Sequence, residues 1–200
     1  MNRDKGTALI VVDMLYDFIG GSLACQNAGA AVDAAVRFID RMTDGQAGDS
    51  SEILDTFPIL FVCDSHPSDH TSFKEYGGTW PKHCIAGTRG AEIHSSLAPY
   101  ASEELTFLKG CRRDEEQYSG YEGRNSAGQS LGEVLELLDI NEVYICGIAT
   151  EYCVRNTAED LEKAGFDVTL VKNALACVDK AGQDKAIREM CDEGIHILQD

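Results

Sequence analysis

Six short apolar runs punctuate the chain, at 8–12, 59–63, 105–108, 143–146, 168–171 and 195–198. They are nearly continuous rather than alternating, the pattern of strands buried on both faces. Between them apolar residues recur at helical spacing. Val32, Val36 and Ile39 share one face; Leu131, Val134, Leu135 and Leu138 share a second; Val154, Ala158 and Leu161 share a third; Ile187 and Met190 mark a fourth. Strand and helix in alternation predict an α/β fold, a parallel sheet of about six strands with helices on both faces in three layers. The polar, Gly-rich stretch 43–51 reads as a surface loop. The segment 65–103 is long and irregular, and such a loop in a compact domain is usually functional or folded on itself. No repeat, low-complexity tract or linker divides the chain, so residues 1–200 are expected to form a single domain.

Composition narrows the partners. The 200 residues are 44% hydrophobic and 26% charged, as in ordinary globular proteins. Seventeen basic against 34 acidic residues give a net charge of −17, which repels nucleic-acid phosphates and anionic membranes. No run approaches the ~20 apolar residues of a membrane span. Met1–Gly6 leads into a strand-like run without a signal-peptide core, so a cytoplasmic address is expected. The eight cysteines include no Cys-x-x-Cys pair. They read as reduced thiols, mostly buried small hydrophobes.

Ligands in open α/β sheets bind beyond the carboxyl ends of the strands, so the residues there are the candidates for chemistry. The first strand runs into Asp13, the second into Asp64 and His66, the third into Lys109-Gly110. The fourth runs into Gly147-Ile148-Ala149-Thr150 and a helix with Cys153 near its start. Thr150 is a plausible N-cap, which puts Cys153 in the first helical turn. Free amides and the helix dipole there favour a thiolate. A carboxylate such as Asp13 can take the thiol proton and later protonate a leaving amine, and Lys109 can hold it in place. Asp64, His66, His70 and His83 crowd one loop, and imidazole with carboxylate suits a divalent transition metal. His94 and His196 lack such company and read as ordinary residues.

Taken together, Asp13-Met14-Leu15-Tyr16-Asp17-Phe18, Asp64-Ser65-His66-Pro67, His70-Thr71-Ser72-Phe73, Trp80-Pro81-Lys82-His83-Cys84, Lys109-Gly110 and 147–154 resemble the isochorismatase-like cysteine hydrolase family, and within it the nicotinamidases. The resemblance spans nearly the whole chain. It implies conversion of nicotinamide to nicotinate and ammonia through a thioester, in NAD salvage. Cys153 would be the nucleophile, Asp13 the base and later the acid, and Lys109 the group that tunes them. Asp64, His66, His70 and His83 would hold Zn²⁺, with Fe²⁺ or Mn²⁺ as alternatives, and the ion would meet the pyridine nitrogen. Phe18 and Trp80 would sandwich the ring. A cis peptide would precede Ala149, and the amides of Ala149 and Cys153 would form the oxyanion hole. Leu15-Tyr16 stands where the family more often has Gln-Asn, and Glu151 where Asp is commoner. The stretch 114–121 resembles a Tyr-Ser loop of the family able to close over substrate. Other readings stay open: another small-amide or carbamoyl hydrolase, a hydrolase in which metal-bound water attacks, or a metal- or redox-sensing protein. A homo-oligomer is also open.

Overall fold

The computed structural model describes residues 6–43 and 57–199. The N-terminal residues 1–5 and all of the expected 43–51 loop except Thr43 lie outside them. Thr43 itself ends a helix.

Six strands form one sheet: β1 (Gly6–Val12), β2 (Ile59–Asp64), β3 (Thr106–Lys109), β4 (Ile140–Gly147), β5 (Asp167–Leu175) and β6 (His196–Leu198). Their order is β3-β2-β1-β4-β5-β6, and every neighbouring pair is parallel. Parallel neighbours need crossovers, and helices supply most of them: α2 (Ala28–Thr43), α3 (Leu131–Leu137), α4 (Arg155–Lys163) and α5 (Lys180–Asp192). The period-2 alternation of β1 sends its side chains into two cores. Leu9 and Val11 pack with Ala31, Ala35, Phe38 and Ile39 of α2. Ala8, Ile10 and Val12 pack with Leu131 and Leu135 of α3, Ala158 and Leu161 of α4, and Ala186 and Met190 of α5. All six expected strands and all four helical faces are present, with β4 and β5 longer than their apolar runs.

The irregular segment after β2 is folded on itself. It contains three single-turn 3₁₀ helices, Lys74–Tyr76, Arg89–Ala91 and Ala98–Tyr100. One further turn, α1 (Tyr16–Ile19), follows β1. Four residues are too few to show a period, so no pattern announced it.

The strand order reverses between β1 and β4, and a ligand crevice is expected beyond the carboxyl ends of strands at such a switch point. Gly147 makes the close approach possible: a Cβ there would lie 2.2 Å from the Val12 carbonyl oxygen, and its φ of +142° suits only glycine. Among the described residues no helix is long and apolar enough to cross a membrane.

Candidate active site

Asp13, Asp64, Lys109 and Cys153 come from four separate strand ends and meet in the interior. Each is at most 5% exposed. The register pairs Asp64 with Lys109 across β2 and β3. The Lys109 ammonium then reaches Asp64 Oδ1 at 2.5 Å, Asp13 Oδ2 at 2.9 Å and Cys153 Sγ at 3.3 Å. Asp13 Oδ1 accepts the Asp64 backbone N–H at 2.8 Å. Ligand atoms of Asp13, Asp64 and Cys153 all lie within 4.8 Å of one another.

Two carboxylates and one ammonium in a dry site leave a surplus of negative charge. Burial and the charge of Asp64 raise Asp13 to about 6, against the pull of Lys109. Burial would raise Asp64 as well, but Lys109 and His66 hold it well below the usual carboxylate range. Burial would discharge Lys109, but Asp13 and Asp64 keep it charged far above its usual range. The Cys153 thiol is pushed well up by burial and by both carboxylates, with Lys109 opposing. Burial thus opposes the thiolate that a helix start favours, and Asp13 is the base placed to take the thiol proton as the bond forms. The expected cap differs. The turn that carries Cys153 is a π-helical turn, Thr150–Val154, whose N-cap is Ala149. The Thr150 hydroxyl donates instead to the Ala176 carbonyl oxygen at 2.8 Å. The Ile148–Ala149 peptide is cis.

A second cluster adjoins the first through Asp64. Its Oδ2 faces His66 Nε2 at 3.4 Å and His83 Nε2 at 4.0 Å. His66 Nδ1 donates to the Gly110 carbonyl oxygen at 2.9 Å and His83 Nδ1 to that of Pro81 at 2.8 Å. A carbonyl only accepts, so both Nδ1 atoms carry a proton, and Nε2 is the atom that each ring can offer a metal ion beside Asp64. Gly110 must be glycine for this, since a Cβ at its φ of +65° would lie 2.4 Å from His66 Cε1. A carboxylate and two imidazoles whose ligand atoms all lie within 4.8 Å suit a divalent transition ion. His70, the expected fourth ligand, is not in this group. Its Nδ1 accepts from the Ser72 N–H at 3.2 Å and hydroxyl at 2.7 Å, so its Nε2–H donates to the Glu115 carbonyl oxygen at 3.0 Å. Both ring nitrogens are committed.

Asp64, His66, His83, Ala149 and Cys153 open onto one cavity, walled by Phe18, Leu23, Trp80, Tyr152 and Val178 with Glu116, Gln117 and Tyr118 at the rim. Phe18 and Trp80 both line it, as their sequence context suggested. Tyr152 meets Trp80 edge-on at 5.0 Å, and Trp80 Nε1 donates to the Tyr118 hydroxyl at 3.1 Å. Tyr152 and Tyr118 were not singled out as pocket residues, although one precedes Cys153 and the other lies in the Tyr-Ser stretch. Leu15 and Tyr16 do not reach the cavity. Leu15 bridges to Ile93, and the Tyr16 ring packs under Arg89 at 4.6 Å and beside His94. The departure from Gln-Asn therefore changes the support of the site and not its wall. Glu151 Oε1 accepts the Asp179 N–H at 2.7 Å, next to Val178 of the wall.

The isochorismatase domain family matches residues 7–199. The chain is 34% identical to the nicotinamidase/pyrazinamidase of Mycobacterium tuberculosis over 195 residues, covering 96% of this chain and 97% of that one. The solved structure of a pyrazinamidase of Pyrococcus horikoshii in complex with zinc superposes with a TM-score of 0.83 at 36% identity, over 97% of this chain and 99% of that one. A protein of L. infantum in complex with nicotinate gives a TM-score of 0.80 at 29% identity, over 98% and 94% of the two chains. With the fold, the domain match and these relatives in agreement, the chain belongs to the isochorismatase family.

Proposed function

We propose that the protein is a nicotinamidase, hydrolysing nicotinamide to nicotinate and ammonia through a Cys153 thioester, within NAD salvage. The observation that carries this is the position of Lys109: one buried ammonium touches the base, the thiol and the carboxylate of the metal group, beside a cavity with flat aromatic walls. Similarity to curated nicotinamidases and to a nicotinate complex supports the substrate.

Phe18 and Trp80 flank the ring and hold the amide carbon over Cys153 Sγ. Asp13 takes the thiol proton as sulfur bonds to that carbon, and the amides of Ala149 and Cys153 receive the oxyanion. Asp13 returns the proton to the nitrogen, the C–N bond breaks, and ammonia leaves a thioester. Asp13 next takes a proton from water as its oxygen attacks the thioester. The C–S bond breaks, Asp13 returns that proton to the sulfur, and the acid gives up its own proton to solvent and leaves as nicotinate. Lys109 holds Asp13 and stabilises sulfur as charge develops on it. Asp64, His66 and His83 would hold a divalent ion, zinc by analogy with the pyrazinamidase complex, with iron or manganese compatible with the same donors. Such an ion supplies a Lewis-acid anchor for the pyridine nitrogen.

A carbamoyl amino acid fits less well. The cavity lining has Asp64 and Glu116 and, among the described residues, no lysine or arginine to pair with a substrate carboxylate. A redox-sensing role is also weakly served, since six of the eight free cysteines are buried. Ammonia release from nicotinamide, pyrazinamide and a carbamoyl amino acid tests the assignment. Turnover of the first two and not the third is expected; turnover of the third alone would overturn it.

A further inference from the structure

His70 has the residue type and the loop position of a metal ligand, but its bonds are those of a strut. Its ring stacks on His66 with centroids 4.3 Å apart, and it is fully buried. Its tautomer is the opposite of that of His66 and His83. The unprotonated Nδ1 is consumed by the two donors of Ser72, and the remaining N–H points away to the Glu115 carbonyl oxygen. Glu115 is followed by Glu116, Gln117 and Tyr118, which form the rim of the cavity. The bond therefore joins the loop of the metal group to a segment that lines the cavity.

Neighbouring contacts show why this bond matters. The Thr71 N–H donates to the Arg113 carbonyl oxygen at 2.8 Å, and Arg113 pairs with Asp69 at 2.7 Å, but that pair is exposed and screened. Beyond Arg113, the half-buried bond from His70 to Glu115 and the Gly110 N–H, which donates to Gln117 Oε1 at 3.0 Å, hold the chain just ahead of Tyr118. Ser72 completes the link to the aromatic wall, because its carbonyl oxygen accepts the Trp80 N–H at 3.0 Å. The indole in turn donates to the Tyr118 hydroxyl.

We propose that His70 is a positioning residue that clasps the 111–119 segment over the ring cavity, and that the metal is held by Asp64, His66 and His83 without it. The ring cavity as substrate site rests on the function proposed above. The clasp itself can be read without turnover, because Trp80 is the only tryptophan of the chain and touches the clasped segment.

The experiment compares wild type with His70→Ala, His70→Gln and His83→Ala after loading with zinc chloride and dialysis. It measures bound zinc, Trp80 emission, and KM and kcat for nicotinamide. His70→Ala is expected to keep its zinc, shift Trp80 emission to the red and raise KM about tenfold with a smaller change in kcat, the weight of about one hydrogen bond. His70→Gln restores a donor toward Glu115, so it should keep zinc and return emission and KM toward wild type. His83→Ala should lose zinc. Loss of zinc from His70→Gln in step with His83→Ala would overturn the proposal, and so would unmoved emission or unmoved KM in a zinc-loaded His70→Ala. If His70→Ala does not fold, the zinc content of His70→Gln decides. If wild type releases no ammonia from nicotinamide, the functional reading fails, and zinc content and emission alone decide the clasp.

Discussion

At the scale of single residues the site is a charge balance around Lys109. Removing its ammonium leaves Asp13 and Asp64 buried and uncompensated, so Lys109→Ala should lose about 3–5 kcal/mol of stability as well as activity. Denaturant unfolding checks the first effect. Alkylation of Cys153 across pH checks whether the thiol has moved still higher, as loss of the one nearby cation requires. Cys153→Ala should fall below ~10⁻³ of the wild-type rate with its zinc retained, and a variant keeping a tenth of the rate would exclude covalent catalysis. Asp13 serves as base only when ionised. With its carboxyl raised to about 6, the rate should fall as pH drops through that value. Asp13→Asn should lose about 10²–10⁴-fold and abolish the acid limb. A limb that persists unchanged in the Asn variant would assign it to another group.

The elements explain what the sequence could and could not reveal. The central strands were legible because both faces of the sheet are covered there, and β2 is buried along its whole length and β1 along all but its first two residues. Their carboxyl ends are the candidates because ligands in open α/β sheets bind there; taken singly, Asp13 reads as a turn residue and Lys109 as a solvated charge. The turn at 150–154 was misread because the partner of the Thr150 hydroxyl is the Ala176 carbonyl at the end of β5, 26 residues away and invisible to local pattern. At Cys153 the helix start favours the anion only weakly, and burial beside two carboxylates outweighs it, which local pattern does not show. Spacing brought His70 to attention, but the protonated nitrogen of an imidazole is set by partners that spacing does not give. One element-scale test is Gly110→Ala. The added Cβ would strike the His66 ring, so zinc affinity should drop by about 10–100-fold, as for loss of a bond that orients a ligand, while the fold persists. Zinc titration followed by a competing chelator measures it, and unchanged affinity would remove Gly110 from the account.

For the whole molecule, the topology does the assembling. The reversal of strand order between β1 and β4 opens a crevice there, and the loops after β2 and β3 bring the metal group and the rim segment over it. The anionic character of the chain, net −17, is compatible with a small uncharged substrate. In the proposed function, the Asp64, His66 and His83 group and the Lys109-centred group act on one ring held between Phe18 and Trp80. Nicotinamide and benzamide share their shape and their scissile amide, and both stack equally well on aromatic walls. They differ in the ring nitrogen that a metal held by Asp64, His66 and His83 would meet. A site built to satisfy a polar atom rejects the analogue that lacks it. The most direct measurement is therefore kcat/KM for ammonia release from the two amides by the zinc-loaded enzyme. Nicotinamide should be favoured by ~10²-fold or more, with the preference lost on chelation. Equal values for the two amides in the zinc-loaded enzyme would contradict it.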